Sequence, residues 1–272
     1  MTRRLLSVCG VLAVLGASSA ALAQNDVYAI NLRANPNTLL RFPVNAPANN
    51  VISANASYDG FAIDFNADAS VLYGITAGVA GTQQWGTIDT TTGNFTSITT
   101  IGVVESNWGG LSYDNTNGNM YALAGQNLYT INVATGAATL VAPFSGGPTG
   151  MLLIDIAVHP TTGQMYAHDI GTDSLMSIDK STGAVTTIGP TGFLANFAQG
   201  MDFDPSTGIL YGAIYTGGGT GAFASFDLTT GAATTIVSTT PWNAEMEMAI
   251  APAPGAAALL GLGAVAAFRR RR

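Results

Sequence analysis

The sequence predicts an all-β fold, a five-bladed β-propeller of four-stranded antiparallel blades, and three observations carry this prediction. A short phrase ending in tyrosine recurs, with intervals of 45, 48, 45 and 45 residues between Tyr28, Tyr73, Tyr121, Tyr166 and Tyr211. A second phrase, ending in glycine, follows four of these tyrosines in the same register. The first repeat lacks its opening strand, and a lone strand-like segment stands near the end of the chain. A fixed period of this length indicates repeated supersecondary units.

The tyrosine phrase is typical of a hairpin turn. Its clear copies span residues 114–121, 159–166 and 204–211, and a looser copy spans residues 66–73. In two copies proline presets φ at the second turn position, and the glycine three residues later accepts a positive φ. The residue that opens each copy is expected to cap the turn with its side chain, and this includes His159.

The glycine phrase predicts a second turn in each repeat. Its copies span residues 88–93, 131–136, 178–183 and 226–231, and short alternating runs that are typical of strands flank both kinds of turn. Two turns in each repeat of about 45 residues make a four-stranded meander, and meanders arranged radially form a propeller.

The two ends of the body explain each other. The first repeat has room for only three strands, around residues 27–31, 39–42 and 51–54, while residues 246–252 look like a lone first strand. We expect this C-terminal strand to complete the N-terminal blade and close the ring, because an open blade would expose sheet edges. The propeller is predicted over residues 24–252, with short helices at both termini.

Composition favours an exported protein and disfavours nucleic acid as a partner. Only 9% of the 272 residues are charged, against about 25% in an average domain. Between the termini, Arg33, Arg41 and Lys180 face sixteen acids, a net charge of −13. An acidic body repels phosphate backbones, whereas cations and neutral glycans remain open as partners. Cys9 lies in the predicted leader, so the mature body is expected to contain no disulfide.

The first 23 residues predict a secretory signal peptide. Arg3 and Arg4 precede an apolar run, and Ala21 and Ala23 form a small-x-small site that predicts cleavage after Ala23.

The last residues, 253–272, predict a sorting or anchoring tail. Pro252 and Pro254 precede an apolar run over residues 256–268, and the chain ends in four arginines, Arg269, Arg270, Arg271 and Arg272. A helix over that run would span about 20 Å of a bilayer core of about 30 Å, so the arginines would have to reach the interface. Because arginines stay cytoplasmic, the body is expected on the outer side.

This tail resembles the PEP-CTERM sorting signal of exported bacterial proteins. The resemblance implies transient anchoring in the inner membrane, processing by an exosortase-type enzyme, and delivery to the cell surface or extracellular matrix. Ala253 stands where the family usually has glutamate, and an ordinary C-terminal anchor remains the alternative.

The body resembles secreted NHL-like or YncE-like bacterial propellers. The resemblance rests on the phrases Asp-Pro-x-Thr-Gly-x-Leu-Tyr, at residues 204–211, and Ile-Asp-x-x-Thr-Gly, at residues 178–183. It implies an architecture and leaves the function open, because propellers host binding, scaffolding and catalysis alike.

No cofactor is predicted, and calcium is the one open possibility. The chain has two histidines, and it lacks a nucleophile elbow, a phosphate-binding loop and a dinucleotide fingerprint. Residues 64–68 match the first half of a calcium loop, but Ala69 stands where glycine is required.

Candidate site residues come from the face where the last strand of one blade crosses to the first strand of the next. They are Asp59, Asn107, Trp108, Trp242, Asn243 and Glu245, with Asp155 and Glu247 at the start of inner strands. Tryptophan beside amides and acids suits sugar stacking or a bound cation. Alternatively, both tryptophans fill gaps between blades.

These patterns favour an exported binding or scaffold module whose partner is an extracellular glycan or a surface protein. The alternative is a secreted metal-dependent hydrolase or lyase, lactonase-like, with its site at the channel mouth. That alternative requires Asp59, Asp155, Glu245 and Glu247 to converge on one point.

Overall fold

The computed structural model describes residues 25–47, 51–53, 56–105, 107–197, 200–238 and 245–251. These residues form twenty β-strands in five four-stranded sheets, and no α-helix occurs among them. The predicted five blades of four antiparallel strands are therefore confirmed. The predicted signal peptide, the predicted tail and their expected helices lie outside the described residues.

The strands follow the repeat. The first blade contains β1 (Asp26–Asn31), β2 (Thr38–Pro43), β3 (Val51–Ser53) and β20 (Met246–Ala251), and the second contains β4 (Ala62–Phe65), β5 (Leu72–Ile75), β6 (Gln84–Ile88) and β7 (Phe95–Thr100). The third contains β8 (Trp108–Asp114), β9 (Asn119–Ala124), β10 (Asn127–Ile131) and β11 (Ala138–Pro143). The fourth contains β12 (Leu153–Val158), β13 (Met165–Asp169), β14 (Ser174–Ile178) and β15 (Val185–Pro190). The fifth contains β16 (Met201–Phe203), β17 (Leu210–Gly217), β18 (Thr220–Phe226) and β19 (Ala233–Ser238).

The sheet of the first blade has the order β20-β1-β2-β3, so its inner strand comes from the far end of the described chain. β20 runs antiparallel to β1, with Asp26 opposite Ala251 and Asn31 opposite Met246. The start of β1 and the end of β20 therefore lie on the same side of the ring.

The hydrophobic core lies between the blades and consists of five clusters, each shared by two neighbouring sheets. Aromatic rings cross these interfaces. Tyr28 of the first blade meets Phe65 of the second edge-on, with ring centroids 5.3 Å apart. Phe42 meets Phe223 of the fifth blade at the same distance of 5.3 Å. A fully buried side chain such as Phe42 or Phe223 contributes about 1.5–3 kcal/mol, so packing between blades supplies much of the stability.

The tyrosine-phrase turns have the predicted backbone. Gly118, Gly163 and Gly208 have φ values of 80°, 69° and 70°. In the looser copy Ser70 stands at the position of these glycines, and the left-handed residue is its neighbour Ala69, with a φ of 54°. His159 caps its turn, because its Nδ1 accepts the Thr161 N–H at 3.3 Å.

These turns define the two faces of the ring. The face that carries them is called the turn face, and it also holds Asn25 and Ala251. The opposite face carries the connections from each outer strand to the next inner strand, and it is called the crossing face.

Candidate functional site at the crossing face

The five inner strands, β4, β8, β12, β16 and β20, line the axis of the ring, and register places their axial residues in two layers. One layer contains Ala62, Gly110, Asp155, Gly200 and Glu247, and the other contains Asp64, Ser112, Ala157, Asp202 and Ala249. Small residues alternate with acids because the strands approach closely: a Cβ at Gly200 would collide with the backbone nitrogen of Met248.

The acids and the serine of these layers connect neighbouring blades. Asp64 Oδ2 accepts the Tyr113 N–H at 2.6 Å, and Ser112 Oγ accepts the Val158 N–H at 2.9 Å. Asp202 Oδ2 accepts the Ile250 N–H of the first blade at 2.7 Å.

Asp155 connects the fourth blade to the fifth in the same way, because its Oδ2 accepts the Met201 N–H. These bonds satisfy backbone donors that point away from their own sheets. The axial carboxyls therefore fasten blade to blade.

Glu247 differs from the other axial acids. Its side chain is buried, yet neither carboxyl oxygen has a hydrogen-bond partner by distance and angle among the described residues. The Ile63 N–H of the second blade lies near enough to oppose the increase in the pKa of Glu247. Glu247 thus occupies the fifth position of the ring of connections with a looser contact.

Burial dominates the protonation of these four carboxyls. It raises the pKa of Asp64 to about 7, and the backbone N–H bonds from Tyr113 and Phe65 oppose the shift. Burial also raises the pKa of Asp155, Asp202 and Glu247 well above the usual range, and repulsion among the axial carboxyls adds to the increase. These groups therefore hold their protons at pH values where surface acids are ionised.

Within the described ranges, no three His, Cys, Asp or Glu side chains lie close enough together to share a metal ion. Residues 64–68, the predicted half of a calcium loop, turn their acids towards the protein's own donors. Asp64 bonds to backbone N–H groups, and Asp68 Oδ1 accepts the Ser70 N–H at 3.1 Å.

A pocket of about 630 Å³ opens on the crossing face, and it is lined by the second, third and fourth blades and by Phe197 and Glu245, which lie in the connections before β16 and β20. Most of its lining is apolar. The main apolar side chains are Phe61, Trp108, Leu123, Leu152, Leu153 and Phe197. The polar side chains that line it are Asn107, Gln126 and Glu245. A pocket of about 300–1,000 Å³ with few polar groups is the usual form of a small-molecule site.

Trp108 forms part of the pocket wall with its ring largely covered. It is 4% exposed, and its ring centroid lies 5.3 Å from that of Tyr129. The Trp108 side chain belongs to the core between the second and third blades. Its covered ring does not offer an open face on which a sugar could stack.

Behind this wall, Glu105 accepts the Tyr129 hydroxyl at 2.7 Å and the Asn127 amide at 2.9 Å. Burial, together with the hydrogen bond to Glu105, raises the pKa of Tyr129 to about 12. Tyr129 therefore remains a hydrogen-bond donor at physiological pH, and the wall is held in one arrangement.

Glu245 lies at the rim of the pocket and pairs with Arg33. The guanidinium Nη1 is 3.6 Å from Glu245 Oε2, and the guanidinium carbon lies 5.5 Å from the ring centroid of Tyr215. The one basic side chain that the described residues place at this rim is thus already engaged.

Phe197 is the most exposed aromatic side chain of the pocket, at 63%. Its φ of 57° is unusual for a bulky residue. The two residues before Phe197 are anchored to neighbouring blades, because the Asn196 N–H donates to Tyr215 O of the fifth blade and the Ala195 N–H donates to Asp173 Oδ1 of the fourth, both at 2.8 Å. The pocket lining therefore includes an exposed ring.

The structure brings three of the sequence-predicted site residues together. Asn107 and Trp108 come from the crossing into β8, Glu245 comes from the crossing into β20, and all three line the pocket.

The other predicted residues are placed elsewhere. Asp155 and Glu247 are buried in the axis, and Asp59 is exposed outside the pocket lining. The convergence of Asp59, Asp155, Glu245 and Glu247 that a metal-dependent enzyme requires is therefore not found. Trp242 and Asn243 lie outside the described residues.

Sequence reasoning misses Phe61, Leu152 and Phe197 in the pocket, and Asp202 in the axis. The first three lie in or beside crossing loops, a position that could have identified them. Asp202 could have been found by aligning the inner strands, since it shares a register position with Asp64 and Ser112.

A second pocket, of about 690 Å³, lies on the turn face between the third and fourth blades, around Tyr121 and Lys180. Its polar side chains already bond within the protein. Asn117 Nδ2 donates to Tyr121 Oη at 3.2 Å, and Gln164 Nε2 donates to Ile178 O at 3.0 Å. The crossing-face pocket is therefore the better candidate site, although it is slightly smaller.

No helix within the described residues has the length and apolar character needed to cross a membrane. No protein-family model and no curated protein sequence matches the chain.

Solved structures share the architecture. The chain is similar to a protein of unknown function from Bacteroides thetaiotaomicron, with a TM-score of 0.55 and 16% identity over 83% of this chain, and it spans 63% of that protein's length. It is also similar to a chain of a nidogen/laminin complex, with a TM-score of 0.51 and 12% identity over 85% of this chain and 99% of the other. At these identities the likeness shows the β-propeller fold and leaves the ligand open.

Proposed function

We propose that this protein is an exported, surface-held binding module whose ligand site is the crossing-face pocket. One observation carries the proposal: three blades and the connections before β16 and β20 line this pocket together, on the face opposite Asn25 and Ala251. A site assembled from several blades and their connections uses the ring as its frame, which is how a rigid scaffold positions binding loops.

The position of the chain ends supports a surface role. Ala251, the last described residue, lies at the turn face, so we expect a tail over residues 253–272 to hold the ring by that side. In the PEP-CTERM interpretation, an exosortase-type enzyme processes this tail after transient anchoring in the inner membrane. The pocket then opens towards the surroundings of the cell.

The charge of the body limits the partners. An excess of acids disfavours nucleic acid and other anionic partners, and an uncharged component of the extracellular matrix or cell surface is the proposed partner. The expected location is the cell surface or the extracellular matrix.

Cysteine labelling tests the display of the pocket. Leu194→Cys, at a site that is 81% exposed on the crossing face, is introduced into the full chain with Cys9→Ser. A membrane-impermeant maleimide should label this variant on intact cells. Labelling only after lysis would overturn the proposed display.

Retention on the matrix tests the site. Purified full-length protein is sedimented with the cell-free matrix of the producing culture, and the bound fraction is measured. Leu152→Asp, in the pocket, should abolish retention, whereas Leu140→Asp should not; the two leucines are 47% and 52% exposed. Equal retention of both variants would show that the pocket is not the site.

A further inference from the structure

We propose that the crossing-face pocket takes a small, uncharged, largely apolar molecule that lies against the exposed ring of Phe197. This inference rests on the proposed function, since it names the chemical class of ligand for the same site.

The lining of the pocket is mostly apolar. Leu123 and Leu153 are buried beneath the pocket, and Phe61 and Leu152 stand around it. An apolar lining of this kind stabilises a ligand by removing its apolar surface from water, and about 630 Å³ suits a molecule of drug-like size.

The charges near the rim of the pocket disfavour an ionic ligand. Arg33 is the one described basic residue near the rim, and it is already engaged by Glu245 and the Tyr215 ring. An anion would find no free cationic partner there and would meet the field of a strongly acidic body. A cation would have to displace Arg33 from Glu245. An uncharged ligand avoids both conflicts.

The small number of hydrogen-bonding groups in the pocket disfavours a glycan as its ligand. A sugar has a hydroxyl group on nearly every carbon, and each hydroxyl that is buried without a partner is unfavourable. The amide side chains that line the pocket are Asn107 and Gln126, and the Trp108 indole N–H, which has no hydrogen-bond partner among the described residues, is one further donor. These two amides could orient one or two polar groups of a ligand, which is too few for an oligosaccharide.

Phe197 gives the pocket an exposed aromatic contact surface. An exposed aromatic ring in a left-handed backbone conformation is unfavourable in two ways, and the hydrogen bonds of its loop hold it there. Such strain is concentrated at binding sites, where the surrounding structure maintains it. A ligand lying against this ring would cover apolar surface that is open in the free protein.

Fluorescence titration of the purified full chain tests the proposal with two dyes that share an aromatic body. N-phenyl-1-naphthylamine is uncharged, and 8-anilinonaphthalene-1-sulfonate carries a sulfonate. The uncharged dye should bind saturably at one site, and Phe197→Ser should weaken that binding about tenfold, as expected for the loss of one well-placed aromatic contact.

The control is Leu194→Ser, three residues away on the same loop and outside the pocket lining. It should bind the dye as the wild type does. Any binding to the apolar segments outside the ring is common to all variants, so the component that depends on Phe197 isolates the pocket. Both substitutions replace exposed side chains, and an unchanged melting temperature would show that each variant folds.

Three results would overturn the inference: dye binding that is indifferent to Phe197→Ser, equally tight Phe197-dependent binding of the sulfonated dye, or displacement of the uncharged dye by cellotetraose. Matrix retention that depends on Leu152 together with any of these results would leave the proposed function standing. Retention that is indifferent to Leu152→Asp would instead remove the proposed function, whatever the dyes show.

Discussion

The carboxylate of Asp64 and the backbone N–H of Tyr113 are 2.6 Å apart and join the inner strands of the second and third blades. The same kind of bond recurs from Ser112 to Val158 and from Asp202 to Ile250. A propeller has no hydrogen-bonded ladder between its blades, so these axial bonds are direct polar connections between them. Their acids carry raised pKa values, which links the stability of the ring to pH.

The first prediction concerns this link. Asp64 titrates at 3.8 in a model peptide and at about 7 in the folded protein, so between these values the folded state binds more protons than the unfolded state. Stability should therefore fall as pH rises through this range. We expect a lower melting temperature at pH 8 than at pH 5, measured by circular dichroism.

Asp64→Asn should make this pH dependence shallower, since an amide does not titrate. Parallel curves for the wild type and Asp64→Asn would contradict the assignment.

In acid the pH dependence of stability has the opposite sign. Burial raises the pKa of Asp114, but bonds from Lys180 and Thr116 outweigh this and lower it, so that stabilisation is lost as pH falls below about 4.

The second prediction concerns Lys180, the only lysine of the chain. Its Nζ contacts the fully buried side chain of Asp114 across the interface between the third and fourth blades. Lys180→Ala would leave that carboxylate without its cation and should cost about 3 kcal/mol of unfolding free energy, measured by urea denaturation.

The double variant Asp114→Asn with Lys180→Met removes both charges and should recover part of this loss. A cost below about 0.5 kcal/mol for Lys180→Ala would mean that the pair behaves like an exposed ion pair.

The third prediction concerns the repeated tyrosines. Tyr121 is 6% exposed, and the ring of Tyr166 lies 5.7 Å from that of Phe203 in the next blade. Replacing either tyrosine by alanine removes apolar contacts between blades and should cost about 3 kcal/mol, seen as a clearly lower melting temperature. Tyr166→Phe keeps the ring and should resemble the wild type, so equal losses in both Tyr166 variants would show that the hydroxyl, not the ring, matters.

The fourth prediction concerns the looser turn. Ala69 has a φ of 54°, in the region that glycine occupies in the other copies. Ala69→Gly should stabilise the protein by about 0.5–1 kcal/mol, because relief of left-handed strain exceeds the extra entropy of the unfolded chain.

Gly118→Ala is the matched control, since a Cβ there would meet nothing nearer than Tyr113 Oη at 3.7 Å. It should destabilise the protein through its φ of 80° alone. Destabilisation by both substitutions would contradict the strain argument.

The strands of the third blade show how much local pattern can predict. In the third repeat the alternating pattern predicts strands at 110–113, 120–123, 128–132 and 138–141, and the observed strands span 108–114, 119–124, 127–131 and 138–143. The boundaries differ by at most two residues, because ladder hydrogen bonds, not side-chain alternation, define where a strand ends. The predicted turn caps and left-handed glycines are confirmed, because a turn depends on residues that are neighbours in the sequence.

The candidate site was less predictable. Asn107, Trp108 and Glu245 were found because each lies in a crossing, but Trp108 is covered by Tyr129, which a linear pattern does not show. Asp155 and Glu247 were expected at the mouth and lie in the axis. Their depth depends on how far each inner strand runs into the ring, which the repeat does not encode.

Period, turn chemistry and the number of blades are local properties, written in glycine, proline and tyrosine at regular intervals, and they can be derived from the chain alone. The axial carboxyl connections and the apolar pocket could not be derived in this way. They join residues about 45 or more positions apart, such as Asp64 with Tyr113, and their contacts exist only when five sheets pack at one distance and tilt. That packing is set by side chains between the blades, all acting together.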